Sequence, residues 1–298
     1  MDSGKIIRGV GGFYYVVTAD AAVYECRAKG IFRKDDIRPL PGDNVIFSIL
    51  DEEKRIGNID EIIERKNELI RPPVANVDQA LVVVSIKKPG LNRGLLDRFL
   101  LMMEVLDIPS FVCLTKTDLA SEDEISELIR AYEPCTSQVF PVNNINGSGI
   151  KAVRKALQGR TTVLAGASGV GKSSLVSHIC PGVSLEIGNV SKKTQRGRHT
   201  TRHSELFFID GETFIFDTPG FSSFSLPELL PEELGAYFRE FEPYVGECAF
   251  NMCTHIHEPG CAVREHIGVS IDEKRYESYV KMFDELNRIA VRAGRSKR

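Results

Sequence analysis

Gly166-Ala167-Ser168-Gly169-Val170-Gly171-Lys172-Ser173 matches the phosphate-binding pattern G-x-x-x-x-G-K-[ST]. This segment follows a predicted strand at 162–165 and precedes a predicted helix from Leu175, as the pattern requires. Its glycines let successive backbone N–H groups curl around a β-phosphate, and Lys172 adds a positive charge at the β/γ bridge. The alternative is a chance glycine-rich turn, against which the flanking strand and helix both argue. The sequence therefore predicts a site for the phosphates of a nucleotide.

The residues around this loop alternate between predicted strands and helices. Continuous apolar runs, typical of strands buried on both faces, occur at 80–85, 110–114, 139–142 and 162–165. Helical spacing separates several of them, and Asp210-Gly211 predicts a hairpin turn between two further strands. This alternation predicts an α/β sheet, mostly parallel with one antiparallel edge, that binds ligands at the C-terminal ends of its strands.

The tetrapeptide Thr115-Lys116-Thr117-Asp118 is similar to the guanine-specificity motif [NT]-K-x-D. It comes directly after the predicted buried strand 110–114, where a ligand of the sheet would meet it. The Asp118 carboxylate can accept both N–H groups of the guanine edge, whereas adenine would leave that carboxylate unpaired. The stem of Lys116 can lie over the base plane. A lone motif of this kind is often a surface turn, but together with the phosphate loop it predicts GTP over ATP.

Two further motifs are predicted to complete the contacts with Mg²⁺ and the γ-phosphate. Asp217-Thr218-Pro219-Gly220 resembles D-x-x-G, in which the aspartate would hold Mg²⁺ through water and the glycine N–H would contact the γ-phosphate. The Ser173 hydroxyl is expected to coordinate Mg²⁺. Thr201 is the expected threonine ligand of Mg²⁺, because it stands just before an arginine as in similar GTPases, and Thr200 is the alternative.

One more loop is expected to contact the guanine. Asn143 or Asn144 follows the third predicted strand and is the candidate for a contact with the guanine carbonyl oxygen, although the usual Ser-Ala pair is absent. The predicted nucleotide-binding residues share a place in these motifs and are Thr115, Lys116, Asp118, Asn143, Asn144, Gly166, Ala167, Ser168, Gly169, Val170, Gly171, Lys172, Ser173, Ser174, Thr201 and Gly220.

The residue after D-x-x-G predicts slow intrinsic hydrolysis. Many GTPases have a glutamine there that orients the attacking water, but this sequence has Phe221. His199 is therefore the candidate catalytic residue beside Lys172, because an imidazole can accept or orient a water proton. A histidine that contacts RNA or is simply solvated is the alternative. Residues 191–203 are basic and contain no acid, so this segment is also expected to touch RNA phosphates, as an alternative to ordinary solvated charge.

Residues 1–68 have the pattern of a small β-barrel. Short segments rich in β-branched and aromatic residues, such as 13–17, are separated by glycine- and proline-containing turns. An oligonucleotide-binding barrel would combine such aromatics with basic side chains, which are present at Lys29, Arg33, Lys34 and Arg38. The alternative is that the aromatics fill the barrel and the charges are solvated. Pro72-Pro73 marks the boundary to the α/β domain, which is predicted to span 69–225.

Residues 226–298 are predicted to form a mainly α-helical domain around a metal. Cys248-x₄-Cys253-x-His255-x₅-Cys261 supplies three thiolates and one imidazole, a set that suits tetrahedral Zn²⁺, and His257 is a competing ligand. Because protein would fill all four positions, the site is expected to be structural. Because the segment has few apolar residues, zinc is also expected to fold it. The chain then ends in a helix with a basic tail.

Composition limits the function of the whole molecule. The 298 residues are 42% hydrophobic with a net charge of −3, so the chain can bury a large core, and any nucleic-acid surface must be a local patch. No apolar run reaches the ~20 residues of a membrane span, and the N-terminus lacks a signal peptide's apolar segment. We therefore expect a cytoplasmic protein without membrane contact, and a monomer. The scattered cysteines, outside the cluster, are expected to be small buried hydrophobes.

The order of the motifs is permuted, because the guanine motif at 115–118 precedes the phosphate loop at 166–173, whereas GTPases usually have the reverse order. This order, the switch segment at 196–203 and the flanking barrel and Cys/His segments resemble the RsgA family of ribosome small-subunit-dependent GTPases over essentially the whole chain. The resemblance implies an N-terminal OB-fold, a circularly permuted P-loop GTPase domain and a C-terminal zinc-binding domain in which His255 is the ligand.

The same resemblance implies a function. Members of the family bind GTP and GDP with Mg²⁺, act in late maturation of the small (30S) ribosomal subunit and are stimulated by it. It implies nucleotide-dependent binding to the subunit and its 16S rRNA. Three rivals remain open: a GTPase acting on another RNA, a GTP-switched adaptor for a protein partner, and an ATP-using P-loop kinase. The first would need a second catalytic domain, the second predicts no stimulation by RNA, and nucleotide competition would separate the third.

Overall fold

The computed structural model describes residues 1–30, 32, 38–70, 73–180, 206–217 and 225–292. The chain divides into two compact units. The first comprises Met1–Leu81 and Asn144–Phe221, and the second comprises Val82–Asn143 and Ser222–Arg298. Among the described residues, no helix combines the length and apolarity that a membrane crossing demands.

The first unit begins with a closed five-stranded barrel, as predicted. Its strands are β1 (Asp2–Val10), β2 (Phe13–Val17), β3 (Val23–Ala28), β4 (Asn44–Asp51) and β5 (Ile56–Ile62), in the order β1-β2-β3-β5-β4. The β3–β5 pair is parallel, whereas the β1–β2, β1–β4, β2–β3 and β4–β5 pairs are antiparallel. Alternate residues point inward because the side-chain period of a strand is two, so Ile6, Val16 and Phe47 are fully buried.

A glycine allows close contact between the turn before β4 and the strand that contains Ala75. Gly42 has φ +93°, and a Cβ on it would lie 2.0 Å from the Ala75 carbonyl oxygen, so only glycine fits this turn. Asp43 beside it accepts from Leu40 N at 2.7 Å and pairs with Arg65. The predicted boundary at residues 68–73 is not an open linker: β6 (Glu68–Ile70) and β7 (Pro73–Ala75) pair antiparallel, with Pro73 at the strand start, where a missing N–H is tolerated.

A six-stranded sheet has the strand order β10-β9-β8-β11-β13-β12. Its strands are β8 (Gln79–Ser85), β9 (Ser110–Thr115), β10 (Gln138–Pro141), β11 (Thr161–Ala165), β12 (Leu206–Asp210) and β13 (Thr213–Asp217), and β8 contributes residues to both units. The β9–β10 and β11–β13 pairs are parallel, whereas β12–β13 is an antiparallel hairpin. The predicted α/β sheet with one antiparallel edge is thereby confirmed.

In the described residues, four helices accompany the sheet. They are α1 (Arg93–Val105), α2 (Glu122–Tyr132), α3 (Ile150–Leu157) and α4 (Lys172–Ile179). Helix α2 starts where the sequence supplies a capping box, since Ser121 and Glu124 each hydrogen bond to the other's backbone N–H. Cys26, Cys113, Cys135 and Cys180 are buried, as expected of small hydrophobes. Burial raises the pKa of the Cys26 thiol to about 12, which makes it unreactive.

The C-terminal part of the second unit has a core of its own, which corrects the expectation that it has too few apolar residues. Two 3₁₀ helices (Pro231–Tyr237 and Arg239–Tyr244) precede α5 (Ala262–Glu265) and α6 (Glu273–Arg292). The rings of Phe238 and Phe241 lie 5.0 and 4.9 Å from the Tyr279 ring. Leu101 of α1 is buried in the same cluster. The sequence underestimated this core because its aromatics are dispersed among charged residues.

Candidate active site and metal centre

The phosphate loop lies between β11, whose residues are all buried, and helix α4. Gly169 and Gly171 have φ values of +80° and +95°, which other residues adopt only with strain. The Lys172 ammonium lies 3.0 Å from Asp217 Oδ1, at the end of β13, and both side chains are mostly buried. The structure thus brings the predicted phosphate-binding lysine and the predicted Mg²⁺ aspartate together.

The oxygens near this pair suit a hard cation. Within the part of the chain that the structure describes, Asp217 Oδ1 is buried without a hydrogen bond, and its ion pair with Lys172 offsets this burial. Ser173 is the second residue of α4 and supplies a hydroxyl. Carboxylate and hydroxyl oxygens are the ligands that Mg²⁺ takes in phosphate sites, so these residues fit the metal.

Asn144 contacts the phosphate loop through its side chain. Its Nδ2 donates to the Gly171 carbonyl at 3.1 Å, and its own carbonyl accepts from His178 Nε2 of α4 at 2.8 Å. The neighbouring candidate Asn143, which directly precedes Asn144, is half-buried. Sequence reasoning singled out the asparagines but missed His178, which no motif includes.

The guanine motif follows β9 in the second unit. Thr115 Oγ1 donates to the Val84 carbonyl at 3.1 Å, and Lys116 turns the chain with φ 57° into a 3₁₀ helix at Thr117–Leu119. The Lys116 ammonium donates to the Lys88 carbonyl. Asp118 lies exposed in this turn. An exposed carboxylate at a strand's C-terminal end is available to the N–H groups of a base.

The four predicted metal ligands converge. The ligand atoms of Cys248, Cys253, His255 and Cys261 all lie within 4.8 Å of one another. His255 Nδ1 is 3.7 Å from Cys248 Sγ and 3.4 Å from Cys261 Sγ, and these two sulfurs are 3.9 Å apart. The edges of a tetrahedron with Zn–S bonds of about 2.3 Å are roughly 3.8 Å long, so the group fits Zn²⁺. The competing ligand, His257, is exposed and does not belong to the cluster.

The protonation of these groups favours metal binding by the imidazole. Burial lowers the pKa of His255, which keeps the ring neutral, as a ligand must be. Burial raises the pKa of the Cys253 thiol to about 12. The thiols must lose their protons to bind a metal, so metal uptake is expected to release protons.

Glu258 organises the metal-binding loop and was missed by sequence reasoning. Its carboxylate accepts from Thr254 N at 2.9 Å, Thr254 Oγ1 at 2.6 Å, and the N–H groups of Ile256 and His257 at 3.1 Å. Burial acts to raise its pKa, but the hydrogen bonds from Thr254 and from backbone N–H groups, including that of His257, together lower that pKa to about 2. The Glu258-Pro259-Gly260 turn signal could have pointed to it.

A buried charge cluster fastens α6 to α1 in the second unit. Arg275 Nη1 donates to Asp97 at 2.9 Å, and its Nε donates to Glu240 at 2.8 Å. The side chains of Arg275, Asp97 and Glu240 are 4%, 0% and 5% exposed, so each charge depends on the others rather than on water. No local pattern marks this cluster, because its members come from three distant segments.

Comparison with known proteins decides the family. The RsgA GTPase family matches residues 62–227, and the RsgA N-terminal domain family matches residues 3–59. The chain belongs to the RsgA GTPase family. The protein from Agathobacter rectalis described as small ribosomal subunit biogenesis GTPase RsgA is 45% identical, over 95% of this chain and 98% of its own. The protein of the same description from Ruminiclostridium cellulolyticum is 44% identical, over 97% and 95%.

Two solved structures of the family extend the match to the fold. YjeQ from Thermotoga maritima has a TM-score of 0.81 at 33% identity, covering 96% of this chain and 98% of its own. YloQ, described as a circularly permuted GTPase, has a TM-score of 0.77 at 36% identity, covering 100% and 97%. The predicted family, the GTPase activity and the permuted fold are confirmed.

Several predicted site residues lie outside the described part of the chain. These are His199, Thr201 with its alternative Thr200, Gly220, Phe221 and the basic residues of segment 191–203. Their roles stay predictions, as do the individual roles of the residues that the structure brings together.

Proposed function

We propose that this GTPase binds Mg²⁺-GTP at its phosphate loop and acts in late maturation of the small ribosomal subunit, which stimulates its hydrolysis. The observation that carries the proposal is the approach of Lys172 to Asp217, 3.0 Å apart, in a chain of the RsgA GTPase family. The shared description of the relatives as small ribosomal subunit biogenesis GTPases supports the partner. The proposal includes a cytoplasmic monomer with domains at 1–68, 69–225 and 226–298.

The phosphate loop would bind the nucleotide largely through its backbone. Residues 166–171 supply N–H groups to the β-phosphate, and Lys172 balances charge that develops between the β- and γ-phosphates. Ser173, Asp217 and Thr201 would hold Mg²⁺, which supplies charge neutralisation for the leaving group. Gly220 would donate its N–H to the γ-phosphate, and Ser174 would meet the phosphates at the start of α4.

The guanine motif would choose the base. Asp118 accepts the N1–H and the 2-amino group of guanine, while Thr115 and Lys116 shape the turn that presents it. The exposure of Asp118 supports its role in binding the base, and the hydrogen bond of Thr115 to Val84 supports its role in shaping the turn. Asn143 or Asn144 would complete the pocket near the guanine carbonyl oxygen.

Intrinsic hydrolysis would be slow, and another group would complete the site. Phe221 cannot orient water, so His199 is the proposed group that accepts or directs the water proton. Lys172 contributes charge stabilisation to the same step. Ribosome-dependent stimulation follows if the basic segment 191–203, which contains His199, binds rRNA phosphates.

The barrel offers a surface suited to 16S rRNA. Arg8 stacks on Tyr15 with its guanidinium carbon 4.2 Å from the ring centroid, and Arg27 stacks on Phe13 at 4.8 Å. Tyr15 and Phe13 alternate with the buried Val16, so they share the opposite face of β2. Paired guanidinium and aromatic groups bind phosphates and stack on unpaired bases. We therefore assign a nucleotide-dependent rRNA contact to the barrel and the basic segment together.

The Cys/His cluster would hold one structural Zn²⁺. Cys248, Cys253, His255 and Cys261 would fill all four positions, and the ion would cross-link the loop. The short distances among their ligand atoms support this assignment. Because the aromatic core of this region is already extensive, zinc would fix the loop rather than fold the region.

GTPase activity with and without purified small ribosomal subunits tests the proposal. We expect subunits to raise the turnover of GTP by about 10-fold or more, since completing a GTPase site in trans has large effects. Large ribosomal subunits serve as the control. No stimulation by small subunits, or equal stimulation by both kinds, would refute the proposed partner and would favour a switched adaptor.

A second measurement tests the nucleotide dependence. Binding to small subunits should be stronger with a non-hydrolysable GTP analogue than with GDP and should weaken as salt rises. Replacing both Phe13 and Tyr15 by Ala should weaken binding while leaving GTP turnover without subunits unchanged. Equal binding in both nucleotide states would reject the coupling.

A further inference from the structure

Helix α4 of the phosphate loop is held by the same asparagine at two points. Gly171, which immediately precedes α4, accepts a hydrogen bond from Asn144 Nδ2 at 3.1 Å. His178, in the last turn, lies 2.8 Å through its Nε2 from the Asn144 carbonyl oxygen. Seven residues are close to two turns of helix, so Gly171 and His178 lie on one face of α4. Asn144 therefore bridges that face from end to end.

The atoms of this bridge have defined roles. A carbonyl oxygen can only accept, so Gly171 fixes the orientation of the Asn144 amide, and Asn144 fixes the protonated nitrogen of His178 as Nε2. Asn144 Oδ1 is buried and has no hydrogen-bond partner among the described residues. The placement of the amide thus depends on its bond to Gly171.

The segment that carries Asn144 is also anchored just before it. Val142 N donates to the Leu114 carbonyl at 2.8 Å, and the Val142 carbonyl accepts from Thr117 N of the guanine motif at 3.4 Å. Two residues later, Asn144 reaches the last glycine of the phosphate loop. Gly171 has φ +95°, one of several conformations open to a glycine, so contacts such as the hydrogen bond from Asn144 select this one.

We propose that His178 and Asn144 form a brace that keeps the phosphate loop in its nucleotide-binding conformation, with His178 as a positioning residue for GTP and GDP. His178 acts through Asn144, whose amide holds the Gly171 carbonyl. Loss of the brace lowers the fraction of molecules whose phosphate loop can bind nucleotide. The apparent Kd equals the intrinsic Kd divided by that fraction, so it rises. Since the brace holds the β-phosphate loop, it favours both nucleotides equally. The proposal rests on the nucleotide site proposed above.

A conservative variant separates the hydrogen bond from the bulk of the side chain. His178→Gln keeps an amide N–H donor near the position of Nε2, whereas His178→Leu fills similar space without a donor. His178 is exposed, so neither change opens a cavity in the core. Asn144→Ala removes the donor to Gly171 and tests the second contact.

The experiment measures Kd for GTP and GDP and steady-state GTP hydrolysis on the full chain. One hydrogen bond has a modest net effect, so His178→Leu should raise both Kd values and KM by about 2- to 10-fold, with kcat unchanged at saturating GTP. His178→Gln should return all three to within about 2-fold of the original values. Adding His178→Leu to Asn144→Ala should cause little further change, because both act on one brace.

The outcomes distinguish the brace from the nucleotide site itself. If the unchanged protein binds no guanine nucleotide, the proposed nucleotide site is wrong. If it binds but His178→Leu, with an unaltered melting temperature, has the same Kd, the brace is wrong. The brace is also overturned if His178→Gln binds nucleotide as weakly as His178→Leu, or if His178→Leu lowers kcat while KM stays constant.

Discussion

The phosphate loop and the Cys/His loop both shape a ligand site within a few residues, but different interactions hold them. In the phosphate loop the backbone carries most of the shape, with Gly169 and Gly171 at positive φ and one hydrogen bond from Asn144. In the Cys/His loop, residues 248–261, hydrogen bonds of side chains impose the shape. Glu258 accepts hydrogen bonds from the loop's N–H groups, and Tyr276 of α6 donates to the His255 carbonyl at 2.7 Å.

This difference predicts how each region responds to substitution. A loop shaped by its own backbone can lose its ligand while the rest of the protein keeps its stability. The Cys/His region shares residues with an aromatic core, since Tyr279 both contacts Phe241 and donates to the Thr254 carbonyl at 2.6 Å. Neighbouring contacts of this kind are coupled, so stability and metal binding should change together there.

The largest effect is expected where buried charges join α6 to α1. Arg275→Met leaves the carboxylates of Asp97 and Glu240 buried without their partner. Removing one member of a buried charge cluster costs about 3–5 kcal/mol, so the free energy of unfolding should fall by that amount in urea denaturation. Arg288→Met on the exposed side of α6 is the matched control and should change it by less than about 0.5 kcal/mol. Equal free energies of unfolding for the two variants would show that the buried charge cluster does not stabilise this region.

The phosphate loop should show the opposite response. Lys172→Ala removes the ammonium that pairs with Asp217, and kcat/KM for GTP should fall by about 100- to 1,000-fold. The free energy of unfolding should fall by about 1–2 kcal/mol, less than for Arg275→Met, because the Asp217 side chain is 23% exposed and water can solvate the carboxylate that remains. Lys155→Ala, exposed on α3, controls for the loss of a charge. A loss of stability as large as that of Arg275→Met would show that the loop's shape is not local.

The same contrast explains how much the sequence predicted. The phosphate loop, the guanine motif and the four metal ligands were recognisable because their chemistry requires certain residues at fixed spacing. The Arg275 contacts were not, because Asp97 and Glu240 lie 178 and 35 residues away along the chain. The bridge from Asn144 to His178 spans 34 residues and fits no motif. Contacts that depend on tertiary packing leave no periodic signal.

The fold followed the same rule. Short β-branched and aromatic segments between turns predicted the barrel, and continuous apolar runs between helical segments predicted the sheet. Asp210-Gly211 predicted the hairpin of β12 and β13, where the structure has it. The C-terminal core was missed because Leu101 of α1 completes it from a distant segment. The expectation that zinc folds this region rested on local composition alone, and the aromatic cluster corrects it.

A smaller effect is expected from Glu258→Gln in the Cys/His loop. The amide of Gln keeps one acceptor oxygen, but its N–H₂ group would face backbone N–H groups that now donate to the carboxylate. Losing such an outer-shell partner should weaken zinc binding by about 10- to 100-fold in competition with a chelator. Glu265→Gln, exposed on α5, should leave zinc affinity unchanged. Cys253→Ser marks the full loss of bound zinc, and normal zinc content in that variant would reject the site.

The smallest effect separates backbone strain from ligand binding. Gly171 and Gly211 both have positive φ, +95° in the phosphate loop and +49° at the tip of the β12–β13 hairpin. Alanine at either position should lower the free energy of unfolding by about 1–2 kcal/mol, since the left-handed conformation costs that much for a residue with a Cβ. Because Gly171 also lies in the loop that binds phosphates and accepts the Asn144 amide, only Gly171→Ala should raise the Kd for GDP. If Gly211→Ala weakens GDP binding as much as Gly171→Ala does, the effect does not come from the backbone of the phosphate loop itself. The phosphate loop would then resemble the Cys/His region, where we expect stability and ligand binding to change together.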